Sequence, residues 1–460
     1  MHKLSNPISA QSISRLSLAE ALASARDTKV LRIGPGVTAV VPVVFAGEFP
    51  GRKALVVADA ASFDVAGRQV ADLLTAAGLA EAAPFIFHEN PLPAEYSFVE
   101  KLETALRRNS AIPVAVGSGT INDLVKLAAH RAGRPYLCVA TAASMDGYTA
   151  FGASITFQGA KQTFNCPAPR AVIADIDTIC GAPSTMTASG FADLQAKLTA
   201  GADWILADAL HVEAIEPRAW EIVQGGLHDA LADPAGARAG RPTAITPLVE
   251  GLMLGGFAMQ WSESSRPASG AEHQFSHLWD MEHHVHNGQP PSHGFKVGIA
   301  TLAIASLYET LLTLPLDTLD IEACCARWPD WGTQEADIRQ RFAGQDFIQT
   351  AVDETAAKFP SPAQLREQLT LLKNTWPAIR QKLRAQLPSL QDLRRNLQNV
   401  GAPTEPGEIG LTRERLRATF HRAYFIRRRF TVLDLVVRTG TLETCLDTLF
   451  GAKGPWAKIN

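Results

Sequence analysis

An excess of charge of either sign is missing from this chain: 43 Lys and Arg stand against 46 Asp and Glu in 460 residues, a formal net charge of −3. So even a balance offers no general attraction to nucleic acid or an anionic membrane, and the expected partner is a small molecule. Long apolar runs are missing too. The longest, Val297 to Leu307, stops at Tyr308-Glu309 and falls short of the roughly 20 residues that span a bilayer, so it reads as a core helix. The first thirty residues mix polar and charged positions with no continuous apolar stretch. That argues against a secretory signal and makes the cytoplasm the expected compartment. Cysteine is scarce: Cys138, Cys166, Cys180, Cys324, Cys325 and Cys445 contain no C-x-x-C pair, and neighbours such as Cys324 and Cys325 seldom bridge. Reduced, buried thiols are expected. There is no internal repeat or low-complexity tract. A content of 46% hydrophobic and 19% charged residues is globular, and 460 residues favour two domains.

Short apolar runs alternate with helical patterns in the first part of the chain. Ala54 to Ala58, Pro84 to Phe87, Ile112 to Val116, Tyr136 to Ala140 and Ala171 to Ala174 read as strands, with helical spacing over Ala66 to Ala77 and Tyr96 to Arg107. This alternation predicts a mostly parallel sheet covered by helices. From about Thr187 strand signals nearly vanish, and helical periodicity takes over in Ala192 to Ala209, Pro247 to Gln260, Lys296 to Thr313, Pro362 to Leu387 and Arg413 to His421. The expected architecture is an α/β dinucleotide-binding domain over residues 1–185 and an all-helical metal- and substrate-binding domain over 186–460. The ligand cleft should lie between them. The arginine runs Arg427-Arg428-Arg429 and Arg394-Arg395 read as solvated faces or ion pairs between segments.

Two features carry chemistry. His273 and His277 are four apart, so a helix presents both on one face, and His293 follows the Pro290-Pro291 break. Imidazole is the commonest metal-ligating side chain, and a catalytic divalent ion needs three protein ligands and an open position. Spacing alone leaves His273 and His277 equally eligible. Upstream, the strand ending at Val116 runs into Gly117-Ser-Gly-Thr-Ile-Asn-Asp123 and an apolar-periodic helix. Glycines there let a ligand approach the backbone, and the first N–H groups of a helix attract phosphate oxygens.

Together with Thr141-Ala-Ala-Ser-Met-Asp-Gly147, Ser189-Gly-Phe-Ala-Asp193-Leu-Gln-Ala-Lys197, Ala202-Asp-Trp204, Ser269-Gly-Ala-Glu-His273 and His293-Gly-Phe-Lys-Val-Gly298, this turn resembles the sn-glycerol-1-phosphate dehydrogenases, and in particular their bacterial branch. That family lies within the dehydroquinate synthase-like and iron-dependent alcohol dehydrogenase superfamily, whose two-domain plan is the one expected above. The resemblance runs from about Ile33 to Leu435 and takes in Gly401-Ala-Pro and Phe430-Thr-Val-Leu-Asp434. It implies reversible, metal-dependent, NAD(P)H-linked reduction of dihydroxyacetone phosphate to sn-glycerol 1-phosphate by a homodimer. Asp193, His273 and His293 become the metal ligands, with His277 beside them. Where iron-dependent alcohol dehydrogenases place a further histidine ligand, four residues after the aspartate, this chain has Lys197. The remaining Asp-His-His set suits zinc or nickel as well as iron.

By the same resemblance Gly117, Ser118, Gly119, Thr120 and Asp123 line the pyrophosphate of the dinucleotide. Thr141, Ser144 and Lys161 contact the cofactor, and Asp146 faces nicotinamide and substrate. Proton delivery falls to bound water or to His277. Asp59 closes a strand where an acid can bond the adenine-ribose hydroxyls and repel the phosphate of NADP, so NADH is the expected cofactor; it also suits a simple turn. Lys197 and Arg266 are candidates for the substrate phosphate, although Lys197 is equally placed to neutralise Asp193 and Arg266 to brace its loop. Two positions depart from the family pattern: Ala192 stands where glycine usually precedes the metal aspartate, and Phe295 where several branches have glutamate. Two other functions fit the same features, a phosphate-eliminating cyclase like dehydroquinate synthase and a sugar-phosphate sensor that does no chemistry.

Overall fold

The computed structural model describes residues 17–157 and 160–457, and only the backbone of Ala160 and Lys161. Six parallel strands form the sheet: β1 (Val30–Gly34), β2 (Ala54–Asp59), β3 (Phe85–Phe87), β4 (Ile112–Gly117), β5 (Leu137–Ala140) and β8 (Ala171–Asp175). The central strands are short runs of Val, Ile, Leu and Ala buried along their length, as strands covered by helices on both faces must be. All five expected strands are present. β1 escaped the sequence reading because it is an edge strand in which Leu31 alone is buried. A separate antiparallel hairpin, β6 (Ala153–Phe157) and β7 (Ala160–Phe164), was also unforeseen; its alternation lasts only five residues a strand.

The strand order is β1-β8-β5-β4-β2-β3. From β2 the chain moves outward to β3, whereas from β4 it moves the other way to β5, so the order reverses between β2 and β4. Ligands of open α/β sheets bind at the carboxyl ends of strands beside such a reversal. The Gly117-Ser118-Gly119 turn occupies that place.

Beyond β8 the described residues contain helices and no strand. Five of these helices shape the site: Ser184–Gln195, Lys197–Ala209, Pro242–Ser262, Ala271–Met281 and His293–Leu311. Their cores are continuous, with Phe191, Leu248, Phe257, Phe275, Trp279, Ile299 and Leu302 all essentially inaccessible. Close approach is set by glycine. A Cβ on Gly294 would lie 1.8 Å from the Ser189 carbonyl oxygen, and one on Gly190 2.1 Å from that of Ala143. Side chains at either position would push apart the helices bearing Asp193 and His293, or lift the first of them off the sheet half. The two halves are also stitched by Gln260, whose Nε2 donates to Thr28 Oγ1 at 2.9 Å and to the Thr149 carbonyl at 2.6 Å. All six cysteines are free, four buried and Cys180 and Cys325 half-buried, so burial is less complete than expected.

Candidate active site

A cleft of about 1030 Å³ opens between the sheet half and the helical half. On the sheet side Ser118 precedes the Gly119–Arg131 helix without capping it through its side chain, which leaves the first N–H groups of that helix to a ligand. Ser118, Gly119, Thr120, Asp123 and Ser144 line the cleft. Gly117 and Thr141 lie behind this lining, where Thr141 N–H donates to the Gly117 carbonyl at 3.2 Å and carries the ladder past the strand ends. Gly117 has a packing reason of its own, because a Cβ there would sit 2.7 Å from Ile121 Cβ. Asp123 Oδ2 accepts from Ser154 N–H at 3.2 Å, which ties the helix to the hairpin. Lys161 pairs with Thr156 across that hairpin, but its side chain lies outside the described residues. Asp59 ends β2, and its Oδ1 accepts from Ser62 N–H at 2.7 Å as a helix cap.

The loop carrying Asp146 is fixed by a residue that sequence reasoning passed over. Buried Lys126 donates to the carbonyls of Gly147, Ala150 and Gly152 at 3.0, 3.0 and 2.9 Å. Asn122 Nδ2 adds a bond to the Gly147 carbonyl at 3.1 Å, and its Oδ1 accepts from Tyr136 Oη at 3.0 Å. A lysine inside an apolar-periodic helix gave no hint of three carbonyl partners from a later loop.

On the helical side Asp193, His273 and His293 come together, one potential ligand atom from each lying within 4.8 Å of the others. They arrive on three separate helices. His273 Nε2 is 3.7 Å from Asp193 Oδ1, close to the about 3.4 Å expected between donors bound tetrahedrally at about 2.1 Å. His273 Nδ1 meets Glu272 Oε1 at 2.8 Å; with the proton on Nδ1, Nε2 is left free to ligate. Glu272 is itself held by Gly270 N–H at 2.6 Å and Thr199 Oγ1 at 2.9 Å. The donor set, its spacing and this carboxylate brace fit a divalent ion. His277 lines the same cleft, its ring centroid 6.3 Å from that of His273, but stands outside the ligand cluster. The tie that spacing left between His273 and His277 is broken by the helix crossing.

The site is electrically dense. Fully buried Lys197 places Nζ 2.7 Å from Asp193 Oδ1 and 2.8 Å from Asp146 Oδ2, and Asp146 N–H donates to Asp193 Oδ2 at 3.2 Å. Burial alone would raise the Asp193 carboxyl, but the Lys197 charge and the facing imidazoles hold it well below the usual carboxylate range. Burial and the neighbouring Asp193 push Asp146 up despite Lys197. For His273 burial acts downward, yet Asp193 and Glu272 raise its affinity for a proton; a bound cation would have to displace that proton. Behind Glu272, Asp203 is pushed up to about 7 by burial and the Glu272 charge.

Two expectations need correction. Arg266 does not face the cleft: its Nη1 donates to the Phe430 carbonyl at 2.8 Å, its Nη2 to the Asp203 carbonyl at 3.1 Å, and its Nε lies 3.3 Å from Glu213. It braces the loop before His273. Lys197 reaches the site but has no exposed surface and is clasped by two carboxylates, so it serves the charge balance of the floor and not a phosphate. The missed residues are Glu272, Lys126 and Arg427, the last of which lines the cleft. Glu272 was hard to foresee because successive residues of a helix point in different directions. It reaches its neighbour by folding back at the helix start.

Residues 32–183 match the family model for iron-containing alcohol dehydrogenases. A glycerol-1-phosphate dehydrogenase of Bacillus licheniformis is 32% identical over 406 residues, covering 88% of this chain and 87% of that one. The chain belongs to the glycerol-1-phosphate dehydrogenase family. The family member of Halalkalibacterium halodurans is 30% identical over 380 residues, 82% of this chain and 84% of its own. Among solved structures, a glycerol dehydrogenase of Schizosaccharomyces pombe shares the fold with a TM-score of 0.56 at 15% identity, over 91% of this chain and 90% of that one. Maleylacetate reductase of Agrobacterium tumefaciens does so with the same score at 14% identity, over 91% and 96%. Against the family pattern, Ala192 is accommodated by the facing Gly298, where an added Cβ would lie 3.1 Å from the Ala192 methyl. Phe295 lines the cleft next to His293.

Proposed function

We propose that this protein reduces dihydroxyacetone phosphate to sn-glycerol 1-phosphate, reversibly, with NAD(P)H and one divalent ion. The observation that carries the reading is that the Asp193, His273 and His293 cluster and the open helix start at Gly119 face one cleft. When bound, the nicotinamide supplies a hydride and the ion polarises the carbonyl that receives it. Asp193, His273 and His293 would hold the ion, and Glu272 fixes the ring of His273. Lys197 offsets the two carboxylates beside it, so that Asp146 and Asp193 can stand 0 to 15% exposed on one floor. His277, at the cleft wall, is placed to deliver a proton to the product oxygen, since imidazole exchanges protons near neutral pH. Met145, Phe151, Met186, Met259, Phe295 and Ile409 give the cleft an apolar share of its lining.

The same proposal assigns NADH as the preferred cofactor, on the position of Asp59 at the end of β2. It takes zinc or nickel as the ion, with iron also suited to the donor set, and a homodimer as the assembly. The domain division at 185/186 belongs to it too. No helix among the described residues is long and apolar enough to cross a membrane. The test is an initial-rate assay of the metal-loaded protein with dihydroxyacetone phosphate and NADH or NADPH, with chiral analysis of the product. Stoichiometric NADH consumption yielding sn-glycerol 1-phosphate is expected. Dinucleotide returned unchanged would overturn the reading in favour of a cyclase.

A further inference from the structure

The run Arg427-Arg428-Arg429 divides into three different fates. Arg428 forms a two-pronged pair with Glu354, Nε at 3.0 Å and Nη2 at 2.6 Å from Oε1. Arg429 donates to the Ser269 carbonyl at 2.6 Å and to Ser265 Oγ at 2.8 Å. Arg427 has no hydrogen bond or ion pair among the described residues, although it is half-buried. The one charge opposing the depression of the Arg427 guanidinium by burial is Glu354, which is already occupied by Arg428. A guanidinium stays charged and carries five donors, so leaving it partly dehydrated and unpaired is costly unless an anion completes it.

The position of this side chain is telling. Among all the described residues that line the cleft, Arg427 is the one Lys or Arg, against the carboxylates of Asp123, Asp146, Glu263 and Glu408. It also shares a small recess with His277, Ser265, Ser269 and Arg429, whose guanidinium is taken up by the Ser269 carbonyl and Ser265 Oγ. Its backbone is fixed: Arg427 ends the short helical turn Ala423–Ile426, whose Tyr424, Phe425 and Ile426 are buried in the core. A phosphorylated substrate whose carbonyl reaches the candidate ligands must place a dianion in the same cleft, and the two candidates favoured by sequence position, Arg266 and Lys197, are already held by backbone carbonyls and carboxylates.

We propose that Arg427 grips the phosphate of the substrate, its planar fork closing on two phosphate oxygens beside His277. This rests on the reading of the protein as a sugar-phosphate reductase. It explains how a cleft rimmed by carboxylates selects a dianionic substrate. Arg427 is a binding residue and takes no part in hydride or proton transfer.

The test compares Arg427→Gln and Arg427→Lys with the wild type, all metal-loaded, on dihydroxyacetone phosphate and on unphosphorylated dihydroxyacetone. For Arg427→Gln, kcat/KM on the phosphorylated substrate should fall about a hundredfold, mostly through KM, and on dihydroxyacetone by less than about threefold. Arg427→Lys should recover part of the loss. Inorganic phosphite should stimulate reduction of dihydroxyacetone by the wild type and not by Arg427→Gln. Equal losses on both substrates, or none on either, would overturn the assignment. Calorimetric binding of dihydroxyacetone phosphate separates it from the reaction itself. If the wild type binds the compound through Arg427 yet consumes no NADH, the proposed reaction fails and the phosphate grip stands. If NADH is consumed equally well by Arg427→Gln, the grip fails and the reaction stands.

Discussion

The two walls of the cleft are built on opposite principles. On the sheet side a strand, a glycine turn and a helix start, all within Ile112–Arg131, offer backbone N–H groups, and the charged residue that matters most, Lys126, is spent on carbonyls of the neighbouring loop. On the helical side, buried polar groups gathered from several helices do the work, each held by a neighbour: Asp193 by Lys197, His273 by Glu272, Glu272 by the Thr199 hydroxyl and the Gly270 N–H. A backbone cradle tolerates substitution around it, whereas a closed set of buried charges is upset by the loss of any member.

The largest effect should come from the ligands. Replacing His273 or His293 by alanine is expected to remove bound metal, by elemental analysis, and to lower kcat by roughly a thousandfold or more. NADH binding, followed by fluorescence titration, should survive because it belongs to the other wall. Loss of both together would break the separation of the walls.

Lys126→Met tests the sheet side. The carbonyls of Ala150 and Gly152 lose their side-chain donor while that of Gly147 keeps Asn122, and unfolding free energy should fall by roughly 3 kcal/mol in denaturant titration. Metal content of the folded fraction should not change, and a metal-free product would show that the Asp146 loop is part of the metal wall after all.

A smaller effect is expected from Glu272→Gln, which keeps the shape but cannot fix the His273 tautomer as firmly. Metal affinity measured by chelator competition should weaken by about 10- to 100-fold. Wild-type affinity in this variant would leave the ligands needing no brace.

Asp59→Gly should move least. The NADH to NADPH ratio of kcat/KM is expected to fall by about tenfold, through loss of one charge and one hydrogen bond at the ribose. An unchanged ratio would mean that Asp59 serves only as the cap of its short helix.

Legibility followed the same divide. The five expected strands and the helices at Tyr96–Arg107, Pro242–Ser262, His293–Leu311 and Pro362–Gln386 are where apolar periodicity placed them, because burial on one face or two leaves a local pattern. β1 was invisible, being an edge strand with little to bury. The candidate metal-ligating triad came from resemblance, since spacing could not choose between His273 and His277. The arginines divided: Arg266 braces the loop before His273, the alternative its position left open, and Arg428 pairs with Glu354 as a run of solvated faces or ion pairs between segments would, while Arg427 of the same run reaches the cleft.

The sequence by itself determined the parallel sheet, the helical second half and the glycine turn, because each is written in neighbouring residues through hydrophobic period and backbone freedom. Only the tertiary structure decided that Glu272 stands behind His273, that Lys126 holds the Asp146 loop, and which arginine has no hydrogen bond or ion pair among the described residues. Those choices depend on how segments pack, helix on helix at Gly294 and Gly298 and helix on the Ala143 loop at Gly190, and such packing is a relation between distant segments that no local pattern encodes.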